Sequence, residues 1–131
     1  TVHRGRPSMQ LKDTAKAVEE GMAAVMEALH PDAVAGDVHA AWQAVLDRYG
    51  LEKKSRIGYS IGAAYAPDWG EHTLSFRPNE TVLVPENAVV HIILGMWMDG
   101  WGMELSETLH VTGSGCTKMT NFPQHVHLVQ P

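Results

Sequence analysis

A chain of 131 residues has the length of one domain and can remove roughly two thirds of its unfolded surface from water. Its hydrophobic content of 44% and charged content of 19% are those of an ordinary globular protein, and a net charge of -5 leaves no basic stripe for nucleic acid. The single cysteine, Cys116, excludes an internal disulfide, and with no signal-peptide pattern and no apolar run long enough for a bilayer the composition predicts a soluble, cytoplasmic protein.

Thr1 to Pro7 is short, basic and closed by Arg-Pro, which suits an edge strand. From Ser8 to Leu29 the apolar residues Leu11, Ala15, Val18, Met22, Val25 and Leu29 recur at steps of four and three, the spacing of one helical face. The acids Asp13, Glu19 and Glu20 suit the dipole near its start, and His30-Pro31 ends it. A second helix is predicted with Asp37 as N-cap or first-turn acid and with Val38, Ala41, Trp42, Val45, Leu46 and Tyr49 on one face. Gly50 then supplies a left-handed C-cap position and Leu51 the apolar residue that packs back beyond it. Both helices read as scaffold, with Met22 and Met26 as core.

The chemistry concentrates in Arg56 to Glu71. Two β-prone pieces, each closed by a glycine (Gly58, Gly62), lead into a loop where Asp68 and Glu71 flank the indole of Trp69. Beyond it the period changes from helical to two: strands are predicted at Thr73 to Phe76 and Thr81 to Val84, with turns between and after them. Ala88 to Met98 and Trp101 to Val111 then flank Asp99-Gly100, the signal for a two-residue type I′ hairpin.

That turn fixes a register in which Met98 faces Trp101, Gly95 faces Glu104, Ile93 faces Ser106 and His91 faces Thr108. Alternation sorts the hairpin into two faces. One carries Val90, Ile92, Leu94, Met96, Met98, Trp101, Met103, Leu105, Leu109 and Val111 and packs on the helices, with Glu107 as its one discord. The other carries His91, Ile93, Gly95, Trp97, Gly102, Glu104, Ser106, Thr108 and His110. It is too polar for a core and too aromatic for plain surface, as a ligand or partner surface would be. Cys116 to Thr120 reads as a short strand and the rest as a tail. The eight histidines are scattered; His125 and His127 could chelate a metal from one strand face, but no third ligand stands at a recognisable spacing, and they read as an exposed edge.

Two stretches, "RIGYSIGAAYAPDWGEHTLSFRP" and "HIILGMWMDGWGMELSETLHVT", together with the order helix, helix, acidic loop, long hairpin, resemble the C-terminal half of the creatinase/aminopeptidase P family, the pita-bread fold, and its ectoine hydrolase-like members above all. The resemblance covers essentially the whole chain as a single domain, residues 1–131. It implies an α+β fold in which two helices pack on a curved antiparallel sheet. In the metallopeptidase members a histidine of a Gly-His-Gly-Ile-Gly pattern and two glutamates of the hairpin hold metal. The positions that match here are Tyr59, Ile93 and Ser106, so the resemblance implies a site without metal or other cofactor.

It further implies metal-independent hydrolysis of a C–N bond in a small ectoine- or creatine-like substrate. The catalytic candidates are Asp68, Glu71, His91 and Glu104, with Tyr59, Tyr65, Trp69, Trp97 and Ser106 as substrate-binding candidates. Leu94 departs from the proline of the ectoine hydrolase-like pattern, and Ala63 and Ala66 replace bulkier residues of its loop. The family's first half is not in this sequence, and Thr1 to Gly5 resembles the strand that leaves it, so a truncated, stand-alone relic is expected. A second copy covering the polar sheet face would then rebuild the two-fold shape as a homodimer. The alternative is a non-catalytic binding or assembly module using that face. Whether Asp68, Glu71, His91 and Glu104 converge separates the two.

Overall fold

The computed structural model describes residues 1–63 and 70–130, with Gly70 and Glu71 described by their backbone alone. The elements run β1 (Val2–Arg4), α1 (Met9–Ala28), α2 (Ala35–Arg48), β2 (Gly58–Ile61), β3 (Gly70–Phe76), β4 (Val89–Met98), β5 (Trp101–Thr112), β6 (Gly115–Lys118) and β7 (His127–Val129). Strands β2 to β6 form one antiparallel sheet in the order β3-β2-β4-β5-β6, while β1 and β7 pair in parallel beside it. This is the expected architecture of two helices on an antiparallel sheet.

Helix α1 begins where Ser8 accepts the Leu11 amide on its hydroxyl at 3.1 Å. No acid lies in its first turn, so Ser8, not the dipole complement expected of Asp13, starts the helix. Its predicted face, Leu11 through Leu29, is buried. Across from it Trp42 of α2 lies against Gly21, where a Cβ would run into the indole. The helices are also tied by Glu20, which accepts from Tyr49 Oη at 2.8 Å and Arg48 at 3.1 Å.

At the far end of α2, Gly50 has φ +65°, its amide reaches Asp47 O at 3.2 Å, and Leu51 reaches Leu46 O at 3.0 Å. These two bonds are a Schellman closure, as Gly50-Leu51 predicted.

Three expectations are corrected and one open alternative is decided. Asp37 is a first-turn acid, one of the two roles expected of it, and Val34 is the N-cap, without a side-chain bond. The amides of Ala35 and Gly36 instead donate to Val82 O and Glu80 O, each at 2.9 Å. Those carbonyls are thereby drawn away from the sheet, which is why Thr81 to Val84 forms one bridge, Leu83 to Val34, and no strand. Gly58 opens β2 and does not close a strand: a Cβ there would lie 2.7 Å from His91 O. At the hairpin, Gly100 has φ +77° but Asp99 is not left-handed, so the turn has the φ signs of type II, not type I′. The tail carries β7, which the sequence pattern did not reveal.

The hairpin register stands as predicted, residue for residue from Val89 opposite His110 to Met98 opposite Trp101. Its apolar face is buried from Val90 to Met96 and from Met103 to Val111, Glu107 included, with Met98 and Trp101 half-buried at the turn. The discordant glutamate is satisfied by the tail. Its carboxylate accepts from the Thr108 amide (2.9 Å), Thr120 Oγ1 (2.9 Å) and Gln124 Nε2 (2.8 Å), with Lys118 Nζ at 3.5 Å. Strand β3 departs from simple pairing: Tyr59 faces Ser75 but Ile61 faces Gly70, a slip that leaves three extra residues in β3. Ser60 sews the slip shut, its hydroxyl 2.8 Å from Thr73 Oγ1 and accepting the Leu74 amide at 3.2 Å.

Candidate functional site

The polar face of the sheet is built by register. Pairing sets Ser75, Tyr59, His91 and Thr108 in one row across β3, β2, β4 and β5. The Tyr59 and His91 rings meet edge-on at 5.9 Å, and the Arg56 guanidinium lies 4.7 Å above the Tyr59 ring. His91 Nδ1 is 3.3 Å from Thr108 Oγ1. Ser75 Oγ is buried beside this row and has no hydrogen-bond partner among the described residues.

One step along the hairpin, Ile93 stands opposite Ser106, and beyond it Gly95 stands opposite Glu104. The Glu104 backbone is clasped by Thr1, whose hydroxyl donates to Glu104 O at 2.7 Å and accepts from Glu104 N at 2.9 Å. Lys53 Nζ donates to Gly95 O at 2.6 Å. Burial pushes the Lys53 ammonium down and the Glu104 charge partly restores it.

The predicted residues therefore divide. Tyr59, His91, Glu104, Ser106 and Trp97 share the polar face. Tyr65, Asp68 and Trp69 lie outside the described residues, as does the side chain of Glu71. His91 and Glu104 do not meet: Thr108, the partner of His91, is four residues along β5 from Glu104, about 13 Å at strand rise. Thr108, Arg56, Ser75 and Lys53 were not singled out as site residues. Thr108 could have been, since the register already set it against His91; Ser75 depends on the slip in β3, which has no sequence signal.

At the three positions matched by the resemblance, the side chains are not the imidazole and carboxylate ligands that a divalent transition metal takes. The three matching positions hold a phenol, a hydrocarbon and a hydroxyl, Tyr59, Ile93 and Ser106, and among the described residues no group of three or more His, Cys, Asp or Glu is placed to bind an ion. The His125 and His127 rings lie 4.5 Å apart, tilted by 42°, with Phe122 4.9 Å from His127, beside a cleft of about 310 Å³ that also meets Ser106 and Glu104.

A roomier cleft, about 830 Å³, opens away from this face between α2, residues 52–54 and the turn at 78–81. It borders His39, a buried imidazole pushed below its usual range by desolvation, against a hydrogen bond with the Ser55 backbone. Size alone would favour it, but the charge pair Lys54–Glu52 (3.7 Å) lines it, with Glu80 held by Arg77 (3.3 Å), as on ordinary surface.

The fold is that of the pita-bread proteins. A dipeptidase, PepE of Mycobacterium ulcerans, superposes with a TM-score of 0.89 at 23% identity, covering 99% of this chain and 34% of that one. The X-Pro aminopeptidase of Thermotoga maritima gives 0.85 at 20% identity, covering 98% and 36%. The sequence profile of metallopeptidase family M24 matches residues 1–113, and the chain belongs to that family.

Among its relatives, the ectoine hydrolase of Halomonas elongata is 35% identical over 127 residues, covering 96% of this chain and 32% of that protein. Aminopeptidase P1 of Arabidopsis thaliana is 33% identical over 117 residues, covering 85% and 18%. The chain spans about a third or less of the length of these relatives. Among the described residues no helix is long and apolar enough to cross a membrane.

Proposed function

We propose that this chain supplies the substrate-facing sheet of a hydrolase that breaks a C–N bond in a small substrate, of the cyclic amidine type, without a metal ion. The observation that carries this reading is the pairing of Ile93 with Ser106 beside Tyr59: three positions on the polar face, none a metal ligand, on a face that keeps a histidine held by a hydroxyl. The similarity to an ectoine hydrolase supports the substrate class.

With Nδ1 engaged by Thr108, His91 Nε2 is the nitrogen left to move a proton. Water adds its oxygen to the amidine carbon and gives its proton to a carboxylate, Asp68 or Glu71. The C–N bond then breaks as the departing nitrogen takes a proton from His91, the hydroxyl on the carbon returns a proton to His91 as the amide carbonyl forms, and the released amine takes the proton held by the carboxylic acid. Tyr59, Tyr65, Trp69 and Ser106 line the substrate. In the same reading a second copy covers the polar face, burying about 800 Å² per partner, with Trp97, 72% exposed, at the rim of the shared cleft.

A second reading, a non-catalytic binding or assembly module on the same face, is favoured by the separation of His91 from Glu104. Incubation with ectoine, watched by proton NMR with and without EDTA, decides. Ring opening that ignores the chelator and disappears in His91→Ala supports the hydrolase. Saturable binding without turnover supports the module. Activity that needs an added divalent ion, or release of the first residue from an Xaa-Pro peptide, overturns the metal-free reading.

A further inference from the structure

We propose that the hairpin carries a subsite for a small zwitterion, in which the indole of Trp97 is the platform for a flat delocalised cation, Glu104 is its counter-charge and Lys53 binds a carboxylate on the same molecule. The proposal rests on the hydrolase reading and deepens it by naming what the substrate must carry besides the scissile bond.

Trp97 is seated by two absences. Gly95 and Gly102 share its face, and the indole lies across both: a Cβ on Gly102 would be 2.6 Å from the ring and one on Gly95 3.2 Å. Neither glycine has a left-handed φ, so no backbone strain requires it. What the missing side chains provide is room for a ring to lie on the sheet with its other side toward solvent, 72% exposed. A large aromatic ring exposed in that way, on a floor cleared for it, is a stacking surface, and the indole face attracts cations.

Charge is arranged around the platform. Glu104 stands opposite Gly95, with Oε2 3.3 Å from where a Gly95 Cβ would be. From the other side of β4, Lys53 Nζ reaches Gly95 O at 2.6 Å and feels the Glu104 charge without closing an ion pair on it. An ammonium has three donors, and Gly95 O uses one. Between residues 50–55 and 95–98 lies a cleft of about 290 Å³, the size for a single small ring. Lys53 and Trp97 line that cleft and Glu104 stands outside it, opposite Gly95. An ammonium and a carboxylate to either side of Gly95, beside the Trp97 plane, complement an amidinium carboxylate better than a simple cation, which Lys53 repels, or a simple anion, which Glu104 repels.

The test is an NMR titration of the ¹⁵N-labelled chain with two probes: ectoine, an amidinium carboxylate, and 2-methyl-1,4,5,6-tetrahydropyrimidine, the same ring without the carboxylate. The Trp97 indole N–H, assigned by its loss in Trp97→Phe, is expected to shift with both, and ectoine to bind about tenfold more tightly, the worth of one charge-assisted hydrogen bond. Lys53→Met is expected to abolish that preference, weakening ectoine and tightening the plain cationic ring that Lys53 repels, and Lys53→Arg to restore it. Glu104→Gln is expected to weaken both probes. Gly102→Ala, which lifts the indole without touching a charge, is expected to do the same with the far-ultraviolet spectrum unchanged.

If ectoine shifts Tyr59 and His91 but not the Trp97 indole, the subsite is wrong and the hydrolase reading survives. A preference for ectoine that persists in Lys53→Met removes Lys53 from it. No shift of any resonance with either probe overturns the subsite, whereas the EDTA-controlled ring-opening assay judges the hydrolase reading separately.

Discussion

Glu107 offers the sharpest test of the packing logic, because it is a carboxylate buried to 2% exposure in an apolar face. It receives three hydrogen bonds, from the Thr108 amide, Thr120 and Gln124, and stands 3.5 Å from Lys118. Glu107→Ala strips partners from four donors and leaves a void under β5. Hydrogen bonds to a charged group contribute about 1.5–3 kcal/mol each, and breaking a buried ionic network costs about 3–5 kcal/mol in total, since the losses are not additive.

That is a large share of the stability of a domain this size, about 5–15 kcal/mol. Urea unfolding should therefore show a loss of about 3–5 kcal/mol, and hydrogen exchange should show residues 118–124 released first. Glu107→Gln, which keeps the shape and most acceptor positions, should lose less than half as much. A loss under about 1 kcal/mol for the alanine variant would refute the reasoning, and would mean that the tail does not depend on this carboxylate.

Trp97→Glu should dissociate the proposed dimer, so light scattering at several concentrations should give half the mass of the parent chain; an unchanged mass sinks the dimer. Gly21→Leu drives a side chain into Trp42 and should destabilise by about 1–3 kcal/mol in urea, provided the helices cannot separate. A null effect would show that α1 and α2 slide freely.

His39 gives a pH prediction. Burial holds its folded pKa below the usual value, so the unfolded chain takes up a proton first as pH falls. The stability it contributes is present above about pH 6.5, falls between there and its lower folded pKa, and is constant below that. Urea midpoints at pH 7.5 and 5.5 should differ less in His39→Gln than in the parent, and an equal difference would remove His39 as the cause.

The register of the β4–β5 hairpin was legible because side-chain alternation and a turn dipeptide both constrain it, and neither depends on the rest of the chain. Even the wrong turn type left the pairing intact, since a two-residue loop fixes the register whatever its φ signs. The helices were legible for a similar local reason, and Gly50-Leu51 marked the end of α2 correctly. What was not legible was set by partners distant in sequence. Val82 and Glu80 cap α2 from some forty residues away, so the strand pattern of Thr81 to Val84 does not become a strand. Glu107 looked like an error until Thr120 and Gln124 were brought to it. Of the candidate site, His91 and its place opposite Thr108 could be read, whereas the involvement of Lys53 depends on a backbone carbonyl of β4 that no side-chain pattern encodes.

The slip in β3 has a consequence for how this protein meets its own kind. Among the described residues β3 is one edge of the sheet, and a regular edge offers a row of amides and carbonyls on which another chain can polymerise. With three extra residues gathered opposite Ser60, the ladder is interrupted at mid-strand and the edge is a poor template. At the opposite edge β6 spans only Gly115–Lys118. Growth by strand addition is thus discouraged at both of these edges.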